Sequence, residues 1–269
     1  MNRWFSCGGR LAAVVVPSLI AVGGLLFLLG PIAVVVAQSV NGAGDLVFPP
    51  RHFTFALYEQ FFTDAAWWGP ALQSVWVAVL TAAVSLVVTL PAAYALHRTS
   101  FFGRKAVQML FVAPMLIPVI SLGLGIYIFF SAVRLDNSTL GLVATHSTLV
   151  MPFMFISIGA GMRQTNPALE SVAMLMGAGR VRTFFQVVVP QLRPSIFVGV
   201  LFAFLMSFDE VVVAYFITGP QTTTLPVKMY SAIRWEVSPV LTAISTILTL
   251  SSLGVCLLII ALRESHSNA

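Results

Sequence analysis

Apolar residues in this chain fall in long runs, neither in the strict alternation of a half-buried strand nor in the single stripe of a surface helix. Six runs stand out, over residues 11–37, 71–96, 107–132, 140–162, 195–217 and 240–262. Each is near or above the ~20 residues that an α-helix needs to cross the hydrocarbon of a bilayer. The pattern predicts an all-α polytopic membrane protein with six transmembrane helices, read as one domain over 1–269. The first run exceeds the roughly 7–15 apolar residues of a signal-peptide core, so it is expected to persist as an uncleaved helix. Pro17 and Pro31 fall near its ends, and Pro114 and Pro118 should bend the third span. The longest connection, 38–70, holds an aromatic, amphipathic piece at 53–62 that should lie along the membrane interface.

Composition agrees with this reading. Of 269 residues, 58% are hydrophobic and only 9% charged, against about 25% charged in soluble domains. The net charge of +5 comes from basic residues scattered at the ends of runs, which is no footprint for nucleic acid. Six spans put both termini on one side of the membrane, and that side carries ten of the 14 Lys and Arg residues. Arg51, Arg134, Lys228 and Arg234 fall on the other side, where Asp45, Glu59 and Asp64 also lie. The bias of Lys and Arg toward the cytoplasm therefore predicts cytoplasmic termini and a cytoplasmic 163–194 segment. Cys7 and Cys256 read as free thiols, with no Cys/His grouping to hold a metal.

The longest polar interruption in the last two-thirds of the chain is ESVAMLMGAGRVRTFFQVVVPQLRP, residues 170–194. Val172, Leu175 and Met176 recur at helical spacing, Gly177 and Gly179 break that helix, and a second short amphipathic turn is expected over 183–189 before Pro190. Such an element is too apolar to stand free in water, so it calls for a partner surface.

This stretch resembles the EAA coupling loop of permease subunits in bacterial ATP-binding-cassette importers. Set on Gly177, the family pattern falls on Ser171, Val172 and Ala173, then on Val187, Val189 and Pro190. Two identities depart from it: Ser171 stands where Glu is usual and Val172 where the first Ala is usual. Glu170, one residue earlier, is the acid at hand. The resemblance implies the type I importer permease architecture, with Glu170, Ser171, Ala173, Gly177 and Pro190 as ATPase-coupling residues and a coupling helix near 166–176. It implies a bacterial inner-membrane location, a second homologous permease, two ATPase subunits that hold the ATP and magnesium, and a periplasmic solute-binding protein. No cofactor is expected in this chain, which has no phosphate loop of the Gly-x4-Gly-Lys-Ser/Thr kind. The segments TFALYEQFF and LPAAYALHR and the turn Thr218-Gly219-Pro220 resemble the polyamine permease subfamily. The implied cargo is spermidine or putrescine, with an opine, 4-aminobutyrate or an aminoalkylphosphonate as alternatives.

Asp209 and Glu210 lie inside the fifth run, roughly 21 Å along a helix from Ser195 and so beyond the midplane. A membrane acid must face protein, water or a cation. The pair is a candidate for lining a cation path, alongside the aromatic faces of Trp76, Tyr127 and Tyr215. Two alternatives stand for the pair: a structural ion pair with Lys228 or Arg234, or a pair sitting at a wet interface. A different class of function is also open, an ion-coupled carrier working alone with these acids as its coupling groups. His146 reads as a hydrogen-bonded interface residue. Both acids share one helix, so no two-helix aspartyl dyad is available, and no enzyme reading survives.

Overall fold

A computed structural model describes residues 6–42, 48–50, 52–236 and 238–267. Of the charges counted above, Arg3, Asp45 and Arg51 lie outside the described residues, as do the side chains of Arg10, Arg263, Glu264 and both cysteines. Among the described residues the regular secondary structure is helical, apart from one isolated bridge between Asn41 and Phe53. It divides into two compact units, residues 1–68 with 232–269, and Gly69–Ser231.

The first unit holds α1 (Ser6–Ser39), α2 (Ala56–Thr63) and α12 (Val240–Ser267), with α1 and α2 both packed on α12. Pro17 and Pro31 are carried inside α1. The apolar side chains of α1 face outward along the length of Val16–Ser39, as lipid permits and water does not. The aromatic piece expected along the interface becomes α2, with Phe61 buried against Phe62 and Trp68. The hydroxyls of Ser39 and Tyr58 meet at 2.7 Å and tie the end of α1 to α2.

The second unit begins in α3 (Ala65–Arg98) and continues through α4 (Arg104–Val112), a 3₁₀ turn (Ala113–Leu116) and α5 (Val119–Ala132). The expected third span is thus two helices bent by 108°. Pro118 forces the residue before it out of the helical region, and Ile117 is extended at φ −94° and ψ 131°. α6 (Thr139–Gln164) is capped by Ser138, whose Oγ accepts from the Gly141 N–H. The turn between α5 and α6 is stitched to the turn at 217–222: Asn137 N–H donates to the Ile217 carbonyl, and Thr222 Oγ1 donates to Asn137 Oδ1.

The fifth run departs most from expectation. A helical path starts at Arg180 in α8 (Arg180–Thr183), passes through a π turn (Phe184–Val188), and continues as α9 (Val189–Phe208). It then breaks, and α10 (Val212–Ile217) starts afresh, so the single span 195–217 is corrected to two helices. The expected loop 218–239 also contains an unforeseen helix, α11 (Leu225–Trp235). Among the described residues, four helices are long and apolar enough to cross a membrane, five if the bent pair counts as one. Among the described residues α12 adds only the shorter apolar stretch Val240–Gly254.

Apolar clusters hold the described part of this unit together. One joins Leu96 of α3, Met154 and Ile158 of α6, and Leu192 and Ala203 of α9. Another joins Val77 of α3, Leu142 of α6, and Val213 and Ile217 of α10. Between them in chain register come Thr81, Thr145, His146, Ser147 and Ser207, all buried. α6 and α9 approach closely because small residues line their contact. A Cβ on Gly161 would collide with Ser195 Oγ, and Ser157 Oγ donates to the Ser195 carbonyl at 2.8 Å.

Gly161→Ala should therefore lower the melting temperature of the purified chain in detergent, at a cost of about 1–3 kcal/mol for overpacking. Gly125→Ala, where nothing lies within 4 Å of the added carbon, should leave the melting temperature unchanged or raise it.

Candidate functional site

The 163–194 segment opens where α6 stops. Thr165 turns extended, and Asn166 caps α7 (Pro167–Leu175) by accepting from the Ala168 N–H at 3.0 Å. Pro167 occupies the first turn, where its missing N–H costs nothing. At the far end the Gly177 N–H donates to the Met174 carbonyl and the Ala178 N–H to the Ala173 carbonyl, both at 3.0 Å. This paired closure needs a left-handed residue, and Gly177 sits at φ +90°. The helix and its glycine stop lie where the sequence spacing places them. Pro190 does not end a separate short turn as expected but sits in the first turn of α9. The preceding π turn absorbs it: the Val189 N–H reaches back to the Phe184 carbonyl, and Gln191 Nε2 donates to the Val187 carbonyl at 2.8 Å.

Glu170 lies one turn into α7 and points inward, with only 6% of its surface exposed. Its Oε1 accepts from Arg98 Nε at 2.7 Å and lies 2.7 Å from a terminal Arg98 nitrogen, and its Oε2 accepts from the Tyr94 hydroxyl at 3.0 Å. Arg98 also donates to Thr165 Oγ1 at 2.6 Å. The acid nearest the expected ATPase contact is thus engaged within its own chain. Removing one partner of such a buried pair leaves the other uncompensated, a loss of about 3–5 kcal/mol. Ser171 faces outward, its Oγ 3.4 Å from the Pro167 carbonyl. Ala173 and Pro190 are half-buried. The outward face of α7 is apolar, with Val172 exposed and Leu175 and Met176 at 87% and 83%.

Sequence reasoning missed Arg98, Tyr94 and Thr165. One signal could have found two of them: Tyr94 and Arg98 are four residues apart at a helix end and therefore share a face.

The proposed path residues are spread over several helices. Asp209 closes α9, its N–H donating to the Leu205 carbonyl, and its side chain is exposed. Glu210 is half-buried and accepts from the Val213 N–H at 2.8 Å, satisfying a free donor at the start of α10. The two acids therefore do different work, and Glu210 is largely committed to backbone. Just before the break, His146 Nδ1 and Ser207 Oγ meet at 2.8 Å across α6 and α9. Tyr215 is exposed and packs edge-on against Tyr230, with ring centroids 5.5 Å apart. Trp76 on α3 and Tyr127 on α5 are also exposed.

A mostly apolar helical chain with a short, glycine-stopped helix held against the ends of its long helices has the build of an importer permease. Residues 85–266 match the family described as binding-protein-dependent transport system inner membrane component, and the chain belongs to that family. It is a permease of the ATP-binding-cassette importer class and a multi-pass membrane protein. It is 28% identical over 239 residues to the putrescine transport system permease protein PotI of Escherichia coli K12, covering 86% of this chain and 84% of that protein. It is 26% identical over 238 residues to the spermidine/putrescine transport system permease protein PotC of Haemophilus influenzae, covering 88% and 92%. Its fold matches a chain of a bacterial ABC transporter involved in the import of the acidic polysaccharide alginate, with TM-score 0.73, 17% identity and coverage of 98% and 99%.

A Cβ added at Gly177 meets nothing within 4 Å, so the left-handed backbone is what limits replacements there. Gly177→Val should cost about 1–2 kcal/mol for the left-handed conformation and speed amide exchange at residues 177 and 178. Gly177→Asn, which tolerates that conformation, should preserve protection better.

Proposed function

We propose that this chain, paired with a second permease of the same kind, carries a small cationic solute into the cytoplasm, foremost a polyamine such as putrescine or spermidine. The observation that carries the cargo is the likeness, over most of the chain, to permeases for putrescine and spermidine. An exposed carboxylate at the break between α9 and α10 suits it: Asp209 stands in a membrane segment where an uncompensated acid is costly unless a cation or water meets it. Tyr215, Tyr127 and Trp76 offer aromatic faces to an ammonium group.

In this reading both termini and α7 face the cytoplasm. α7 docks its outward apolar face in a groove of one of two separate ATPase subunits, with Ser171, Ala173 and Gly177 shaping the contact. ATP and magnesium stay on those subunits. Their closure draws the coupling helices of the two permeases together, and the path opens toward a periplasmic binding protein that delivers solute. Hydrolysis restores the inward-open arrangement. This chain supplies the path and the lever and catalyses no reaction of its own.

The test is uptake of labelled putrescine by the complete transporter in proteoliposomes, in competition with spermidine and 4-aminobutyrate. Spermidine should compete and 4-aminobutyrate should not. Asp209→Asn should raise the KM for putrescine roughly tenfold, the equivalent of losing about 1.4 kcal/mol of charge interaction. Uptake of 4-aminobutyrate in preference to putrescine would move the cargo to the amino-acid-like alternatives. Uptake by the purified chain without ATPase subunits would favour an ion-coupled carrier.

A further inference from the structure

We infer that Arg98 is a positioning residue for transport: it clamps the coupling helix to the spans, so that a push on α7 is delivered to α3 rather than lost in the loop. The inference rests on the importer reading above and names the joint that such a machine requires.

α7 is a poor lever on its own connections. It has nine residues, and at one end the chain passes through extended Thr165 and Asn166. At the other end it passes through left-handed Gly177 and extended Gly179. Glycine turns of that kind bend at low cost. A force applied to the exposed tip at Leu175 and Met176 would rotate α7 about these joints unless something else fixed it.

Contacts at its N-terminal end fix it. Glu170 is held by Arg98 and Tyr94, one turn apart on the last turns of α3. The same guanidinium reaches Thr165, the residue that ends α6, whose Oγ1 also donates to the Met162 carbonyl at 2.9 Å. On the other flank the Asn166 N–H donates to Gln191 Oε1 at 3.2 Å, while the amide nitrogen of Gln191 is bound within the π turn. Tyr94 further packs edge-on against Phe184 of that turn, with centroids 4.9 Å apart. The ends of α3, α6 and α9 are therefore gathered on the root of α7, while its tip stays open for a partner. Root pinned and tip free is the geometry of a crank. From the end of α3 the Arg98 side chain reaches both Thr165, which caps α6, and Glu170 of α7. Its planar, permanently charged fork can bind a carboxylate and a hydroxyl at once, which a lysine would do less rigidly.

The experiment uses the chain assembled with its partner permease and ATPase subunits in lipid nanodiscs. Cys7 and Cys256 are replaced by serine, and a bimane fluorophore is placed at Val87→Cys. Val87 is an exposed position on α3, eleven residues or roughly 16 Å from Arg98 along the helix. The readouts are the bimane emission shift on adding ATP without magnesium, and the hydrolysis rate with magnesium. In the otherwise unaltered protein ATP should shift the emission. In Arg98→Gln the shift should fall to less than half while the bound ATPase still hydrolyses, because docking and force delivery are separate. Tyr94→Phe should fall between the two. If Arg98→Gln does not assemble, the swapped pair Arg98→Glu with Glu170→Arg takes its place: recovered assembly and shift support the clamp, and no recovery overturns it. An undiminished shift in assembled Arg98→Gln overturns the clamp and leaves the importer reading intact. No ATP-dependent shift in the protein with Arg98 present, or no ATPase subunit bound to it, overturns both.

Discussion

In hydrocarbon a polar group must find its partner inside the protein, because no water is present to supply one. Several joints of this chain meet that requirement, although buried hydroxyls within the spans, such as those of Thr81 and Thr145, have no hydrogen-bond partner among the described residues. Where α9 ends, the first donors of α10 would be left without acceptors, and the Glu210 carboxylate accepts one of them. At Pro190 no backbone N–H exists to continue the ladder; the widened turn before it is closed by Gln191, whose side chain returns to the Val187 carbonyl. His146 is 99% buried: its Nδ1 meets Ser207 Oγ, while its Nε2 has no hydrogen-bond partner among the described residues. Glu170 and Arg98 satisfy each other with help from Tyr94 and Thr165. Apart from His146, which lies within α6, these groups sit at or near helix ends and breaks, where the backbone leaves its own groups unpaired.

Much of the fold was legible from the length of apolar runs. The runs at 71–96 and 140–162 became α3 and α6, each extended by a few residues at both ends. The helix before Gly177 was legible because its apolar spacing and its glycine agree, and the local hydrogen bonds follow from those residues alone. The bend at Pro118 was legible for the same reason: a proline acts on its immediate neighbour.

The break at 209–211 was hidden. No proline or glycine marks it, and Val211, Val212 and Val213 extend the apolar run without interruption. Only the two acids hinted at it, and read as path residues they gave no reason to stop a helix. α11 was hidden by the abundance of Thr, Pro and Gly just before it, which obscured the helical piece from Leu225 onward. In the coupling segment the helix could be read but the direction of Glu170 could not. A side chain's inward or outward face depends on which other helix end arrives beside it, and Arg98 is 72 residues away in sequence.

The contact between α6 and α9 bears on where this protein can change shape. Gly161 against Ser195, Gly199 against Met154 and Ser157, and the Ser157 hydroxyl on the Ser195 carbonyl leave these two helices no slack to slide past each other. A pair fitted this closely travels as a single beam. Bending is then assigned to the places where helices are already interrupted, the 108° elbow beside Pro118 and the gap after Phe208, in the way a hinged door flexes at its pins and not in its panel. Natural variation should follow the same division: residues on the shared face of the beam are confined to small side chains, while the elbows can drift in sequence as long as they stay bent.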